Sequence, residues 1–372
     1  MQNKLRDRIL AAVFAIAVAG GFLWHILCPD LALSTSERRK LAQAPAVTLS
    51  NALSGKLASD FDTYVLDQFP ARDGFRTLKA VVQYYLLQQK DNNGIFLADG
   101  SIGKLEYPLS ESSARSAGEK FTALKERYFP DSAVYLSIVP DKSYFLAAQN
   151  GYPAMDYEKL VATLRETTPG IQYIDIFGTL EIGDYYTTDA HWRQECLQDT
   201  AARLAQGLGV GDAFGWDYTA HTLTDFYGVY YGQAALPFPP DDLTYLTNPT
   251  TEGASVYNIE TQAVTTGVYD LEKLVDGTSM DMYDLYLSGA AAMLTVTNPN
   301  PVGDAKGREL ILFRDSFGSS IAPLLLGCYE TVTLVDIRYI VSDFLPQFLD
   351  FHGQDVLFLY STSVINNSSM LR

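Results

Sequence analysis

Serine, histidine and aspartate together carry out acyl transfer, and two short segments of this chain hold them in suitable order. The first is Tyr185-Tyr-Thr-Thr-Asp189-Ala-His191-Trp192; the second is Phe313-Arg-Asp315-Ser316-Phe-Gly318-Ser-Ser. Asp189 and His191 are two apart, so they cannot meet on a helix, where neighbours are three or four apart. In a loop the Asp189 carboxylate can reach Nδ1 of His191. That bond would fix the tautomer and leave Nε2 to take a serine proton. Ser316 sits where a strand is expected to hand over to a helix, among unpaired N–H groups at the positive end of a dipole. The amides of Ser316 and Gly318 are therefore the expected donors to an oxyanion. The same Asp-Ser pair is also an ordinary helix N-cap, and the segment lacks the glycines of a Gly-x-Ser-x-Gly turn. Both readings stay open here.

Other residues compete for these roles. His352, in Asp350-Phe-His352, repeats the Asp-x-His spacing and is the main rival base. It falls at the end of an expected helix, where the dipole favours histidine without any catalysis. His221 has no carboxylate within three residues and reads as a surface histidine. The four histidines form no His-x-His or His-Glu-x-x-His pair, and the cysteines lack zinc spacing, so no metal site is expected. Glycine-rich phosphate loops are absent and no cofactor is expected. Cys196 has no base near it in sequence to make it a nucleophile. Cys28 lies in an apolar run, and whether Cys196 and Cys328 pair is left open.

The elements that must position these residues alternate. Helical periodicity covers Leu57, Phe61, Tyr64, Val65 and Phe69 up to Pro70, then residues 76–89. Residues 94–100 read as a hairpin closed by Asp99-Gly100. Beyond them, helices are expected over 113–128, 156–166, 193–207, 317–326 and 341–349. Strands are expected over 133–139, 171–176, 309–313, 331–335 and 355–360. Short apolar strands between amphipathic helices imply an α/β fold, an open parallel sheet covered on both faces, with its site at the strands' carboxyl ends. Residues 212–300 break the alternation and read as a β-rich insertion beside the sheet. Its Tyr227, Tyr230 and Tyr231 could offer stacking surfaces to a ligand or simply pack.

The 372 residues suffice for one large domain or two modest ones, and 47% hydrophobic content with 12% aromatics excludes disorder. A net charge of −17 argues against nucleic acid and against loose adhesion to anionic surfaces. Ile9 to Leu27 is an uncharged apolar run long enough to span a bilayer. Lys4, Arg6 and Arg8 precede it, which predicts a cytoplasmic N-terminus and a single-pass cell-membrane protein. Trp24 and His25 suit the interface. The small residues around Ala32-Leu33-Ser34 also permit cleavage and secretion. The expected division is an anchor over 1–29, a tether over 30–56 and an extracytoplasmic domain over 57–372.

Taken together, these segments resemble the DHHW-motif proteins, which are similar to the AlgX/AlgJ-type polysaccharide O-acetylation proteins with an SGNH-hydrolase-like domain. The matching motifs are Asp67-Gln-Phe69-Pro70-Ala-Arg72-Asp73, Asn93-Gly94-Ile-Phe-Leu97, Val139-Pro140-Asp-Lys142, the Asp189-Ala-His191-Trp192 segment and Arg314-Asp315-Ser316-Phe317-Gly318. Ala190 stands where the family name has a second histidine. The resemblance implies Ser316 as nucleophile, His191 as base and Asp189 as its orienter. It also implies an SGNH-type O-acetyltransferase or acetylesterase acting on a cell-envelope or exported polysaccharide. A multi-pass membrane O-acyltransferase is the implied partner. Lys142, Arg72 and Arg314 are candidate site-facing cations, with purely structural roles as the alternative. A catalytically silent scaffold or polysaccharide-binding protein would keep the fold without needing Ser316 and His191 together.

Overall fold

Apolar runs that alternate with amphipathic helices form the centre of an eight-stranded sheet, and its central strands feed both of its faces. In Glu309–Arg314, Leu310 and Leu312 enter one core while Ile311 and Phe313 enter the other, as the two-residue period of a strand requires. The computed structural model describes residues 2–275 and 279–372, and the chain divides into two compact units. The first comprises Met1–Gln89 with Tyr231–Pro237, and the second Lys90–Tyr230 with Phe238–Arg372.

The first unit begins with α1 (Gln2–Leu27), whose stretch Lys4–Leu27 is long and apolar enough to cross a membrane. The following segment is ordered: β1 (Leu33–Ser34) pairs antiparallel with β2 (Arg39–Lys40), and α2 spans Leu49–Leu53. The periodicity from Leu57 becomes α3 (Lys56–Asp67). The next helix starts earlier than its pattern suggests: α4 runs Arg72–Val81 and widens into a π-turn at Val82–Leu86. Asp67 fastens the unit together. Its carboxylate accepts Arg39 Nη1 and Nη2 at 2.8 and 2.6 Å and the Ala42 amide at 2.9 Å.

The second unit opens with a small sheet of β3 (Asp91–Asn92), β4 (Ile95–Ala98) and β5 (Ser101–Lys104), and Asp99-Gly100 makes the expected turn with φ of 49° and 74°. Then follow α5 (Glu111–Tyr128), β6 (Val134–Val139), α6 (Lys142–Leu146), α7 (Tyr157–Thr167), β7 (Gln172–Tyr173) and α8 (Gln198–Gly207). The middle of the chain contributes β8 (Thr219–Phe226), α9 (from Val229), β9 (Asp241–Thr247), α10 (Pro249–Gly253), β10 (Ser255–Asn258), β11 (Ala263–Thr266), α11 (Glu272–Val275) and β12 (Met293–Thr297). After these come β13 (Glu309–Arg314), α12 (Phe317–Leu325), β14 (Thr331–Val335), β15 (Asp355–Ser361) and α13 (Thr362–Asn366).

The large sheet runs β11-β10-β12-β14-β13-β15-β6-β7. Its β14-β13-β15-β6-β7 half is parallel, as the apolar runs predict. The expected insertion is only partly beside it. Strands β8 and β9 form their own pair, but β10, β11 and β12 extend the main sheet antiparallel. Helices α5 and α7 pack on one face and α8 and α12 on the other, giving three layers. Two expected elements are shorter than their patterns: the strand over 171–176 keeps Gln172–Tyr173, and 341–349 holds a 3₁₀ turn, Ser342–Gln347, containing Pro346. The expected helix over 193–207 starts at Gln198 because residues 194–196 form a separate 3₁₀ turn.

Candidate active site

Strand β13 ends at Arg314 and α12 begins at Phe317, so Asp315 and Ser316 form the turn at the sheet's carboxyl edge. Asp315 stitches that turn: Oδ1 accepts the Phe317 amide at 3.1 Å, and Oδ2 accepts the Ser361 amide from the end of β15 at 2.8 Å. Ser316 occupies the N-cap position without capping, in αR geometry with φ −61° and ψ −25°. Its Oγ instead lies 2.7 Å from Nε2 of His191. The N-cap reading of Ser316 is thereby set aside.

His191 comes from a loop that closes on itself. Tyr185 and Trp192 form an antiparallel bridge, and the Tyr186 amide donates to the His191 carbonyl at 3.1 Å. Within the loop Asp189 Oδ1 lies 2.6 Å from His191 Nδ1 and also accepts the His191 amide at 3.0 Å. Carboxylate, imidazole and hydroxyl thus form one chain of hydrogen bonds. The Asp189 side chain is 1% exposed and that of His191 14%, so the carboxylate is shut off from solvent while His191 and Ser316 are partly accessible.

Several side chains that hold this arrangement carry no signature in the sequence. The Val229 amide donates to the second oxygen of Asp189, Oδ2, at 2.7 Å. Asp241, at the start of β9, accepts the Thr187 and Thr188 amides, each at 2.8 Å, and the Thr188 hydroxyl at 2.6 Å. Tyr283 stacks on His191 with ring centroids 3.9 Å apart and planes 11° apart, while Phe317 tilts against the ring at 4.9 Å. The Tyr283 hydroxyl and Trp192 Nε1 both donate to Ser320 Oγ at 2.7 Å, one helical turn beyond Ser316. Ser320 Oγ itself donates to the Phe317 carbonyl at 3.3 Å, which fills its hydrogen-bonding capacity.

Four expected site residues need correction. Lys142 does not face a substrate. It is 1% exposed, and Nζ donates to the carbonyls of Tyr186, Thr187 and Asp189 at 2.8, 3.0 and 3.2 Å. Three acceptors match the three N–H bonds of an ammonium, although burial lowers the Lys142 pKa to about 7. It anchors the Asp189 loop from beneath. Arg72 lies in the first unit, where its guanidinium pairs with Glu37 at 2.5 Å. Arg314 is 1% exposed and folds its stem against α12; an added Cβ on Gly318 would sit 2.5 Å from its Cβ. That close approach is what Gly318 supplies, since its amide is already committed to the Asp315 carbonyl at 3.0 Å.

The rivals lie elsewhere. His352 accepts from Gln354 at 3.0 Å and lies 3.4 Å from Glu309 on an exposed surface. His221 pairs with Thr247 Oγ1 at 2.9 Å on the β8–β9 pair. Cys28, Cys196 and Cys328 are all free, and burial pushes the Cys196 and Cys328 thiols up to about 11, where thiolate is scarce.

This architecture is a shared one. The chain superposes on a DHHW family protein from Eubacterium siraeum with TM-score 0.61 at 19% identity, over 76% of this chain and 95% of that one. PatB1 from Bacillus cereus superposes with TM-score 0.55 at 17% identity, over 74% of this chain and 97% of that one. A second structure of PatB1, carrying a sulfonyl adduct, gives TM-score 0.52 at 19% identity, over 73% and 97%. The O-acetyltransferase domain of Pseudomonas putida AlgJ superposes at TM-score 0.42 and 13% identity, over 74% and 93%. At such identities the likeness to the Eubacterium siraeum protein and to PatB1 is one of fold, and it bears out the α/β architecture expected from the sequence. The sequence matches no family model and no curated protein.

Proposed function

We propose that this protein is an extracytoplasmic O-acetyltransferase or acetylesterase that modifies a cell-envelope or exported polysaccharide through an acetyl-Ser316 intermediate. The observation that carries the reading is the hydrogen-bonded chain from Asp189 through His191 to Ser316, with contacts of 2.6 and 2.7 Å. The resemblance of the motifs to polysaccharide O-acetylation proteins supports acetyl as the group and a sugar hydroxyl as its destination. The helix α1 supports a membrane anchor, and a multi-pass O-acyltransferase would supply the acetyl donor.

The steps follow from the geometry. Ser316 Oγ attacks the acetyl carbonyl while its proton passes to His191 Nε2, and Asp189 steadies the imidazolium. The carbonyl oxygen, now an oxyanion, is met by the Ser316 amide at the start of α12. Collapse expels the donor's leaving group, which takes the proton from His191. An acceptor hydroxyl then gives its proton to His191 and attacks the acetyl-serine, and Ser316 leaves with that proton restored. A sugar acceptor gives an acetylated polysaccharide; water gives acetate.

A sulfonyl fluoride tests the nucleophile, since PatB1, which shares the fold, has been seen with a sulfonyl adduct. One adduct per chain is expected, on the peptide bearing Ser316, with activity lost in step. The His191→Ala variant should label far more slowly. An adduct on another residue, or full activity after labelling, would remove Ser316 from the mechanism.

A further inference from the structure

The Asp67–Asp73 motif belongs to the first unit, and its surroundings are unusual. In a helix facing water the charged side chains point outward and the apolar ones inward. Helix α4 departs from this, although Asp73 and Lys79 still face outward. Arg72 and Arg76, four apart on one face, turn inward to Glu37 at 2.5 and 3.3 Å with side chains only 20% and 24% exposed. On the flank beside Arg72, Phe75 and Leu78 are 51% and 56% exposed, and Tyr85 is exposed beyond them. Phe61 and Leu66 on α3, and Phe69 between the helices, are exposed as well.

This apolar face is continuous with the end of α1. The His25 ring meets Tyr64 at 6.2 Å edge-on and stacks on Phe69 at 6.5 Å, and Phe69 meets Phe75 at 5.4 Å. An unbroken line of rings therefore runs from the last turn of the apolar helix onto α4. Lys79 is exposed at the edge of the stripe, where its stem can lie along hydrocarbon and its ammonium reach lipid headgroups.

We propose that the α3–α4 pair lies on the bilayer, its apolar face resting in the headgroup and acyl-chain boundary beside the point where α1 emerges. The inference rests on reading α1 as a membrane anchor. It explains why the ion pairs of Glu37, Asp67, Arg39, Arg72 and Arg76 are inward: a face in contact with lipid is the one place where charges are costly and phenylalanines are not. The bilayer is favoured over a protein partner because His25, on the anchor itself, fixes the height of the face.

The test uses the full chain reconstituted in phosphatidylcholine vesicles, with Trp24→Phe removing the indole at the end of α1. Phe75→Trp and Leu78→Trp each add one reporter to that background. Brominated lipids labelled near the headgroup end should cut the added emission by about two-fold or more, while acrylamide barely touches it. Emission that ignores bromine and is quenched by acrylamide would overturn the proposal. So would a reporter shielded from both quenchers in a chain that cross-links to a second copy, which would assign the face to a dimer. If the chain fails to float with the vesicles at all, the anchor reading falls and takes this inference with it. The two reporters keep the outcome decisive should one substitution prevent folding.

Discussion

Ser316→Ala and His191→Ala are each expected to lower acetyl release from p-nitrophenyl acetate by about 10³-fold or more, and the double variant scarcely further. The hydroxyl and imidazole lie 2.7 Å apart, so each is idle without the other. Without His191, Ser316 keeps its proton and is a poor nucleophile; without Ser316, the base has nothing to activate. Residues that act as a unit give non-additive losses, and additivity of the two single changes would contradict that picture. The denaturation midpoint of Ser316→Ala should stay near that of the parent, because only a hydroxyl is removed, while His191→Ala also gives up the ring stack on Tyr283 and should fall somewhat below it.

Gly228→Ala is expected to lower the same activity by about 10²-fold, although residue 228 touches no substrate. The backbone there approaches the Asp189 loop so closely that an added Cβ would sit 2.2 Å from Asp189 Cβ and 2.5 Å from the Thr188 carbonyl oxygen. Those neighbours are held by Asp241 and by the Thr188 hydroxyl, which accepts the Gly228 amide at 2.9 Å. The methyl group must therefore push Asp189 off Nδ1 or lift Val229 from Oδ2. Gly215→Ala is the control, since nothing lies within 4 Å of the Cβ it would add. A folded Gly228→Ala enzyme working at the parental rate would show that the fit around Asp189 is loose.

The sequence makes the reacting groups and the sheet readable because both are local signals. Asp189 and His191 stand two positions apart, Ser316 stands at the end of an apolar run, and the β13 to β15 strands are continuous hydrophobic segments between helices. What holds the triad in place is not local. Val229 lies 40 residues from Asp189 and Asp241 53 from Thr188, while Tyr283 reaches His191 from the far end of the insertion. A backbone amide, an ordinary aspartate and one tyrosine among 24 announce nothing by type or spacing. Lys142 is misread for a different reason. A lysine in a motif reads as a cation for a ligand, whereas the three carbonyls that receive its ammonium appear only once the 185–192 loop is closed. Gly318 is misread likewise: its amide is free in a sequence and occupied in a helix start. The main sheet's antiparallel extension is hidden because β10, β11 and β12 are short and polar-rich, with β11 exposed along its length.

The central claim is that the acetyl group passes through Ser316. The most direct measurement is rapid acid quenching of residues 30–372 during turnover of p-nitrophenyl acetate, followed by peptide mass mapping. The account predicts one acetyl group on the peptide containing Ser316, present in the wild type and absent from Ser316→Ala. An acetyl group on another side chain, or turnover with no acetylated peptide at any time point, would contradict it.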